Sequence, residues 1–338
     1  MNAFIPLAMV RAAEPDDRAA IRAFVDAHPD ATPFHLPEWG EAVGQGTGQQ
    51  SLTLLAERGG RLVGLLPLTE IRSPLFGSAL VSTGFGVDGG VLGEGADALA
   101  EAAWLLAQSR RCASVELRGG PVPIGWARRE GLYFGFGRDL PADAEAILKS
   151  IPRKQRAEVR RALGLGLDVE VGRDLDTHYR LYAESVRNLG TPVFPRGLFA
   201  AALERLDADI LTVRREGRAL ASVLSLYFRG TVYPYWGGGT RAARPARANE
   251  LMYFALMRHA AGRGCTRFDF GRSKAGTGAF AYKKNWGFEP RPLVYAVKGA
   301  ARETNPLSPK YRLQVALWKK LPLWAANCLG PPIARGLG

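Results

Sequence analysis

The apolar positions of the chain follow two spacings, one of two residues and one of three to four. The first spacing predicts strands and the second predicts amphipathic helices. Strands are predicted at residues 10–13, 52–56, 62–69, 114–117, 132–136, 169–171, 210–214, 220–228, 232–236, 267–270 and 293–297. Helices are predicted after Asp16, at 98–108 with Asp97 as the N-cap, at 125–130, 153–163 and 175–188, from an N-cap at Asn249, and at 279–284. This order predicts a mixed α/β fold with antiparallel and parallel parts.

Two pairs of segments resemble each other and occur in the same order. Cys112 and Cys265 each open a strand-like segment with an acidic residue four positions later, Glu116 and Asp269 respectively. A hairpin with glycine at its turn precedes each cysteine, and both offsets are roughly 150 residues. The repeat predicts one α/β unit used twice.

Composition adds a strong positive charge to this picture. The chain has 338 residues, of which 47% are hydrophobic, so two lobes can each bury a core. It carries 45 Lys+Arg against 32 Asp+Glu, for a net charge of +13. Such a surface suits a phosphate-bearing substrate, nucleic acid or an anionic membrane, and a general bias toward arginine codons is the alternative explanation.

The cysteines exclude two classes of protein. Three cysteines lie far apart with no CxxC pair, so the sequence supports neither a zinc site nor a disulfide scaffold. The N-terminus lacks the pattern of a signal peptide, and no run of eighteen apolar residues is present. We therefore expect a cytoplasmic protein.

The last part of the chain mixes apolar and basic residues. This pattern over residues 305–329 predicts an interfacial helix on an anionic bilayer, which would place the protein at the cytoplasmic side of the inner membrane. A helix packed back onto the lobes is the alternative. The residues concerned are Leu313, Leu317, Trp318 and Leu321, with Lys310, Arg312, Lys319 and Lys320, and Pro322 interrupts the helix.

Several segments together resemble a known family. They are residues 34–39, 82–90, 187–193, 235–239, 269–273, 279–289 and 305–311. With the order of elements, they are similar to the doubled GNAT-type acyltransferase fold of the FemAB-like aminoacyl and peptidyl transferases. More closely, the chain resembles the FemAB-family proteins encoded with exosortase (PEP-CTERM) and exopolysaccharide systems.

The resemblance implies two tandem GNAT-like lobes, at residues 1–145 and 146–299, followed by a basic amphipathic tail at 300–338. It also implies that an amine attacks an activated acyl carbon. The donor would be an acyl-CoA thioester or an aminoacyl-tRNA ester, and the acceptor would be an amine on a cell-envelope, peptidoglycan or exopolysaccharide precursor. Neither a metal nor a permanently bound cofactor is expected.

Lys283 is the first candidate catalytic residue. It follows Tyr282, at the position that matches the aromatic–lysine pair of FemAB-like second lobes. Its ammonium group can hold a donor phosphate or the developing oxyanion, and Tyr282 would help to bind substrate. The alternative is a solvated helix lysine like its neighbour Lys284.

Asp269 is the second candidate catalytic residue. It ends a predicted strand beside Gly271, where sites of parallel sheets form, and it can orient the amine or accept its proton. Arg272 and Ser273 can bind an anionic group. The alternative is that Asp269 caps a turn or pairs with Arg267 or Arg272.

Two further segments are predicted to bind substrate. The polar loop with Arg187, Asn188 and Thr191 follows an amphipathic helix, although a helix C-cap at Gly190 also explains it. An aromatic strand carries Tyr233, Tyr235 and Trp236. In the first lobe, His35 and Trp39 are predicted to line a pocket because they belong to the 34–39 motif.

The glycines after this aromatic strand are the candidate donor-binding site. Gly237, Gly238 and Gly239 predict a flexible loop, and Arg247 with a helix start at Asn249 would direct cations and free amides to a phosphate. The usual Gly-x-Gly/Ala pattern of GNAT enzymes is replaced here by Arg-Pro-Ala-Arg-Ala-Asn, which argues against coenzyme A. The basic helix at 153–161 is predicted to contact the phosphates of a tRNA or of an anionic glycan carrier. The alternative is a solvated face on which Glu158 pairs internally.

The sequence thus favours an N-acyltransferase or aminoacyltransferase. A non-catalytic ligand-binding subunit of an envelope polysaccharide complex is the alternative. Nucleic-acid binding from net charge alone ranks last, because no matching fold is predicted.

Overall fold

The computed structural model describes residues 8–300, 302 and 311–338. They form two compact units. The first unit takes the described residues within 1–131, 293–304 and 333–338, and the second takes those within 132–292 and 305–332.

Fifteen strands are present in the described residues. They are β1 (Met9–Ala12), β2 (Gln50–Arg58), β3 (Arg61–Ser73), β4 (Gly77–Ser82), β5 (Leu92–Gly93), β6 (Ser114–Arg118), β7 (Ala127–Arg129), β8 (Tyr133–Asp139), β9 (Asp168–Gly172), β10 (Ala208–Arg215), β11 (Arg218–Phe228), β12 (Thr231–Gly239), β13 (Arg267–Lys274), β14 (Arg291–Pro292) and β15 (Tyr295–Gly299).

Eleven α-helices accompany the strands in the same residues. They are α1 (Arg18–Ala27), α2 (Pro37–Thr47), α3 (Ala96–Ser109), α4 (Ala144–Ser150), α5 (Arg153–Leu163), α6 (Leu175–Leu189), α7 (Arg196–Arg205), α8 (Ala248–Gly262), α9 (Gly278–Asn285), α10 (Arg312–Trp318) and α11 (Leu323–Ala334).

Each unit is built on one mixed sheet. The strand order in the first is β1-β2-β3-β4-β6-β15-β7, with β5 beside β3, and in the second it is β14-β8-β13-β12-β11-β10-β9. Neighbouring strands are antiparallel except for one parallel pair in each sheet, β4 with β6 and β12 with β13. The predicted mixed α/β fold is confirmed.

The two hairpins of the repeat have the same turn. In β2–β3, Arg58 pairs with Arg61 around Gly59 and Gly60, which have φ values of 56° and 74°. In β10–β11 the turn is Glu216-Gly217, with φ values of 50° and 75°. Two-residue turns with positive φ at both positions match the right-handed strand twist, which is why glycine occurs at these turns.

The acidic residues of the repeat occupy equivalent places. Glu116 is the third residue of β6 and Asp269 the third of β13, and each of these strands is the later strand of its parallel pair. Cys112 and Cys265 are both buried just before these strands, as expected for corner-filling residues.

The cores lie between each sheet and its helices. In the first unit, Leu66, Leu80 and Val115 of the sheet pack with Leu99 and Ala103 of α3. In the second unit the cluster joins the sheet to α8 and α9; it includes Val223, Val232, Phe268, Met252, Leu256 and Trp286. All of these side chains are less than a tenth exposed.

Several local predictions were wrong. The predicted helix at 125–130 is a turn followed by β7. Asp97 does not cap α3, because α3 begins at Ala96 and the Asp97 carboxylate accepts the N–H of Ile124 at 2.8 Å. Helices α4 and α7 and strand β4 were not predicted. By contrast, α5 has the bounds expected from its apolar spacing.

The compact units and the predicted lobes divide the sequence at different places. Strand β8 belongs to the second unit, and β15 belongs to the first. Compact units reflect contacts, whereas the predicted bounds 1–145, 146–299 and 300–338 describe a repeat, so those bounds stay a prediction.

Candidate active site

The parallel strands of the second unit separate soon after they pair. Strands β12 and β13 are paired at only two positions, Thr231 with Arg267 and Val232 with Phe268. Beyond these pairs the carboxyl-terminal halves of the two strands diverge. Ligands of open α/β sheets bind at such carboxyl ends, where backbone groups are released from the ladder.

Both diverging strands are irregular at this point. The β11–β12 register shifts between Leu224 and Ser225, which places an extra residue in β12 near Tyr235. The β8–β13 register shifts between Asp269 and Arg272. Such bulges redirect side chains and interrupt pairing, and they are frequent beside active sites.

Asp269 and Lys283 hold the bulge of β13. Asp269 Oδ1 accepts a hydrogen bond from the N–H of Gly271 at 2.8 Å. Lys283 Nζ donates to the carbonyl oxygens of Gly271 at 3.2 Å and Arg272 at 2.9 Å. The bulge needs glycine, since Gly271 has a φ of 67°.

The Lys283 side chain is buried between aromatic rings. Its Nζ lies 5.3 Å from the ring centre of Phe136 and 5.5 Å from that of Phe270. Burial lowers the pKa of Lys283 to about 7, and the nearby Asp269 carboxyl opposes that shift. Burial also raises the pKa of Asp269. Lys283 is thus no solvated helix lysine, unlike the exposed Lys284.

Two tyrosines lie beside this pair. Tyr253 of α8 packs edge-on against Phe270 at 4.6 Å and lies 5.9 Å from the ring of Tyr282. Burial raises the pKa of both phenols, so both are neutral donors over the physiological range. The Tyr282 hydroxyl is buried without a hydrogen-bond partner among the described residues.

The cationic residues of β13 lie along Tyr133 of β8. The Arg272 guanidinium is 4.7 Å and Lys274 Nζ 5.4 Å from the centre of the Tyr133 ring. Burial, and then Arg272, lower the pKa of Lys274 to about 8. Ser273, between them in sequence, is buried. Arg272 therefore lies near the bulge, where an anionic group can reach it.

The aromatic residues of β12 divide between the interior and its edge. Trp236 is only 3% exposed and packs on Phe199 of α7 at 4.4 Å. Tyr235 meets Trp236 edge-on at 4.9 Å and, like Tyr233, is partly exposed. Of the three, Tyr233 and Tyr235 keep surface that a substrate can contact.

The triple glycine is part of a strand and not a flexible loop. Gly237, Gly238 and Gly239 end β12 and pair with β11. A Cβ on Gly238 would lie 2.6 Å from the Cβ of Ser185, and one on Gly237 would lie 2.9 Å from the Tyr253 hydroxyl. These glycines permit close helix–strand packing, which corrects the prediction of a flexible loop, and donor binding by them stays a prediction.

The helix start after β12 is also unlike a phosphate site. Helix α8 begins at Ala248, with Arg247 at the N-cap in a left-handed conformation (φ 51°), so Asn249 is not the cap. The Arg247 guanidinium pairs with Glu158 of α5, which also pairs with Arg161 at 2.7 Å. The cation predicted for a donor phosphate is therefore already paired.

A second carboxylate lies at the same helix start. Glu250 is in the first turn of α8, and burial raises its pKa. Together with Glu158, which pairs with the N-cap Arg247, it competes with a diphosphate, so these residues fit that group poorly.

The predicted polar loop is in fact the last turn of α6, which contains Arg187 and Asn188, and the loop after it, which contains Thr191. Gly190 is the left-handed C-cap of α6 (φ 84°), and the N–H of Thr191 donates to Val186 at 2.9 Å. Arg187 Nη1 donates to the carbonyl oxygen of Leu321 at 3.1 Å. The C-cap alternative is confirmed, and Arg187 fastens the α10–α11 connection.

Some polar atoms of this loop have no partner among the described residues. They are the buried Arg187 Nε and Asn188 Oδ1. Substrate binding by Arg187, Asn188 and Thr191 stays a prediction.

His35 and Trp39 of the first unit are interior residues. Trp39 has no exposed surface, and its Nε1 donates to the carbonyl oxygen of Gly84 at 3.1 Å. His35 contacts Thr32 and the Gly90 carbonyl oxygen through its two ring nitrogens, and burial lowers its pKa to about 4. Both brace the loop at residues 83–90, so neither offers surface to a substrate.

The prediction overlooked His178 and Tyr253. The His178 ring is fully buried, with Nδ1 2.9 Å from Ser222 Oγ and Nε2 without a partner among the described residues. Burial lowers its pKa to about 3, so it is neutral. His178, Tyr182 and Val186 follow one another at intervals of four residues, which places them on one face of a helix. This spacing indicates burial, but it does not show that His178 contacts Ser222.

One cavity of the second unit lies away from all these residues. It has a volume of about 570 Å³ between β9 and α8. Most of its lining residues are apolar, and Asp168, Arg258 and His259 also line it. None of the predicted site residues lines it.

Two kinds of feature are absent from the described residues. No cluster of three or more His, Cys, Asp or Glu side chains there is arranged to hold a metal ion. No helix in that part of the chain combines the length and apolar character needed to cross a bilayer.

Comparison with known proteins adds one sequence match. Residues 149–284 match the acetyltransferase (GNAT) domain family, which covers most of the second unit but less than half of the chain. No match is found among curated protein sequences.

Solved structures resemble the chain over most of its length. FemX aligns over 85% of this chain and 96% of its own, with a TM-score of 0.63 and 16% identity. A tandem GNAT protein from the clavulanic acid biosynthesis pathway aligns over 88% and 99%, with a TM-score of 0.55 and 14% identity.

A third structure is the C-terminal domain of a putative lysylphosphatidylglycerol synthetase from Agrobacterium fabrum. It aligns over 84% of this chain and 92% of its own, with a TM-score of 0.56 and 12% identity. At these identities the likeness concerns the fold, and it confirms the prediction of two tandem GNAT-like units.

Proposed function

We propose that this protein is an N-acyltransferase whose second unit moves an acyl group from an activated donor to an amine. The observation that carries the proposal lies within residues 149–284, the part that matches the acetyltransferase domain. There, the diverging strands β12 and β13 place a glycine bulge next to a partly buried acid, Asp269, and a buried amine, Lys283.

The reaction needs three things from the protein. It must align the amine with the acyl carbon, stabilise negative charge on the carbonyl oxygen, and take a proton from the attacking nitrogen. The cleft between β12 and β13 is the proposed place of reaction. Where two strands are no longer paired with each other, their backbone N–H groups can orient the carbonyl group of the donor.

Asp269 is the proposed proton acceptor. One carboxylate oxygen is fixed by the Gly271 N–H, and burial raises the pKa of the group. A raised pKa makes a carboxylate a better base toward an ammonium group at neutral pH.

Lys283 is proposed to stabilise the developing oxyanion. In its protonated form, two of its three N–H groups serve the Gly271 and Arg272 carbonyl oxygens, which leaves one for new negative charge. Fixing two N–H groups on the backbone also fixes the direction of the third, so little reorganisation is needed during reaction.

The donor and acceptor belong to the proposal as classes. The donor is an acyl-CoA or an aminoacyl-tRNA, and the carboxylates around the start of α8 favour a donor other than coenzyme A. The acceptor is an amine on an envelope or exopolysaccharide precursor. The protein would bind this precursor in the cytoplasm, at the inner face of the membrane, which residues 305–329 would contact. Within that range, 305–310 lie outside the described residues.

Thermal-shift titration can choose the donor. Saturable stabilisation by only one of acyl-CoAs, aminoacyl-tRNA and nucleotide sugars identifies the donor class. Turnover of an amine acceptor is then followed in Asp269→Asn and Lys283→Ala, with Lys284→Ala as the matched control. Loss of turnover with retained donor binding in the first two variants supports the proposal, whereas donor binding without turnover in the unmodified protein supports the ligand-binding alternative.

A further inference from the structure

Two strands of the second sheet direct arginines onto one glycine of the strand between them. Strand β8 lies between β13 and β14. Gly137 of β8 is opposite Asp269 of β13, and Gly135 is opposite Arg291 of β14. The Nη2 atoms of Arg267, on β13, and of Arg291 each lie 2.9 Å from the place that a Cβ on Gly137 would occupy. The two guanidinium groups therefore reach over β8 from its two sides.

The middle of β8 is bare on this face of the sheet. Phe136 belongs to the core of the second unit and Phe134 packs against that core. Because side chains alternate along a strand, Gly135 and Gly137, here called the glycine floor, face the other way. Both glycines are partly exposed. A ligand can approach such a stretch of backbone closely, since no side chain stands in the way.

The positive charges over the glycine floor are poorly balanced by the fold. The Nη2 atoms of Arg267 and Arg291 are at most about 6 Å apart, a distance at which like charges repel each other. Arg291 is exposed and has no ion pair among the described residues. Arg267 pairs with Asp139 at 3.7 Å, but the Asp139 side chain is 98% exposed, and such surface pairs contribute little. An anion between the two guanidinium groups would supply the balance.

A phosphate group suits this arrangement better than a carboxylate. Each guanidinium group presents parallel N–H donors to a pair of oxygens. Two guanidinium groups that come from opposite sides need acceptor oxygens that point in different directions. A phosphate monoester has three terminal oxygens that do not lie in one plane with the phosphorus, whereas a carboxylate has two in a single plane. The charge of a phosphate dianion also equals that of the two arginines.

Asp269 fixes what else the ligand carries. It is directly opposite Gly137, and opposite residues have Cβ positions about 4.5–5.5 Å apart. An amine beside the Asp269 carboxylate and a phosphate over Gly137 are therefore separated by a spacer of about two carbon atoms. The charges then balance: the ammonium group of the ligand, Arg267 and Arg291 offset the phosphate dianion and the carboxylate.

The phosphate and the acyl donor would approach Asp269 from different sides. Strand β13 lies between β8 and β12 in the sheet. The glycine floor is thus on the β8 side of Asp269, and the proposed place of reaction is on its β12 side. A ligand on the glycine floor leaves the cleft between β12 and β13 free for the donor.

We propose that Arg267 and Arg291 form a phosphate-binding subsite over the glycine floor. Its ligand is a small amine with a phosphate ester about two carbon atoms from the nitrogen, as in phosphoethanolamine or a 2-amino sugar 1-phosphate. That this ligand is the acyl acceptor rests on the proposed function, whereas the subsite itself does not.

Calorimetric titration of the full-length chain without a donor tests the subsite. Phosphoethanolamine should bind at least about tenfold more tightly than ethanolamine, β-alanine or inorganic phosphate. Equal affinity for ethanolamine would show that the phosphate is not bound. Equal affinity for β-alanine would contradict the preference for phosphate, and equal affinity for inorganic phosphate would contradict the role of the amine. Each of these results would overturn the proposal.

Two arginine variants locate the subsite. Arg267→Gln and Arg291→Gln should each weaken phosphoethanolamine binding about tenfold and leave ethanolamine binding within about twofold. Arg218→Gln is the matched control, because Arg218 is an exposed arginine of β11 in the same unit, and it should change neither affinity. Unchanged phosphoethanolamine affinity in either arginine variant would overturn the proposal. Loss of tRNA binding in these variants, with phosphoethanolamine affinity retained, would assign both arginines to nucleic acid instead.

Turnover separates the subsite from the proposed function. With a donor that the protein uses, Arg267→Gln and Arg291→Gln should raise KM for phosphoethanolamine about tenfold and leave kcat within about twofold, whereas Asp269→Asn should lower kcat. Arginine-dependent binding without turnover would support the subsite and contradict acyl transfer. Turnover of phosphoethanolamine with KM unchanged in both arginine variants would support acyl transfer and overturn the subsite.

Discussion

Asp269 and Lys283 bind the two polar groups of the same residue. The Asp269 carboxylate accepts the N–H of Gly271, and Lys283 Nζ donates to the carbonyl oxygen of Gly271. An acid and an amine that are far apart in sequence thus fix one glycine of the β13 bulge. Any change at either residue should alter the bulge itself as well as the chemistry proposed there.

Lys283→Met should destabilise the protein, whereas Lys284→Met should not. The first change leaves the partly buried carbonyl oxygens of Gly271 and Arg272 without this donor, at a cost of about 1–3 kcal/mol in the free energy of unfolding. Lys284, the neighbouring residue, is exposed. Urea unfolding of the two variants measures the difference, and equal midpoints would mean that the bulge does not depend on Lys283.

Lys283 should also make stability depend on pH. Its pKa is about 7 in the folded protein against 10.5 for a free lysine. Between these values the unfolded chain holds a proton that the folded protein lacks, so the free energy of unfolding rises with pH, by at most about 1.4 kcal/mol per unit.

The rise should disappear in Lys283→Met. Unfolding curves of both proteins at pH 7, 8 and 9 provide the measurement. Parallel pH dependence in the two proteins would argue that Lys283 keeps its proton in the folded state.

Gly238→Ala should destabilise the second unit, because the new methyl group would meet the side chain of Ser185. We expect a loss of about 1–3 kcal/mol, and Ser185→Gly in the same chain should restore part of it. Gly262→Ala is the matched control, since a Cβ there meets nothing within 4 Å. A stable Gly238→Ala protein with unchanged ligand binding would contradict the packing role assigned to this glycine.

Helices α10 and α11 should bind anionic vesicles through their exposed apolar side chains. Leu313, Leu317, Trp324 and Leu329 are each more than half exposed. Replacing all four with serine should abolish co-sedimentation with anionic vesicles, because buried apolar area provides much of such binding.

The control for this experiment changes exposed apolar residues of the first unit. Leu75, Leu105 and Ile124 are similarly exposed. Their replacement with serine should leave vesicle binding unchanged. If neither variant alters co-sedimentation, the predicted membrane contact fails.

Local features of the fold could be predicted from sequence. The glycine-containing hairpin turns, the bounds of α5 and the matching strands around Glu116 and Asp269 all follow from short-range spacing and turn chemistry. The tandem arrangement followed from the same local repeats.

Long-range features could not be predicted. Glycine triplets occur both in flexible loops and where a helix approaches a strand, and the sequence does not show that Ser185 lies against Gly238. Likewise, Lys283 was found by resemblance, but its two carbonyl partners depend on a bulge that only the three-dimensional register reveals. Pairing of residues 295–299 with β6 was equally invisible to local patterns.

That last pairing has a consequence for biosynthesis. Strand β15 lies between β6 and β7, and in the described ladders β15 is the partner of β7. A ribosome delivers residues 295–299 only after nearly all of the second unit has been made. The first unit of the nascent chain therefore keeps an unpaired edge on β6 until translation is almost finished. A chain stopped at residue 292 would lack β15, the strand that pairs with this edge.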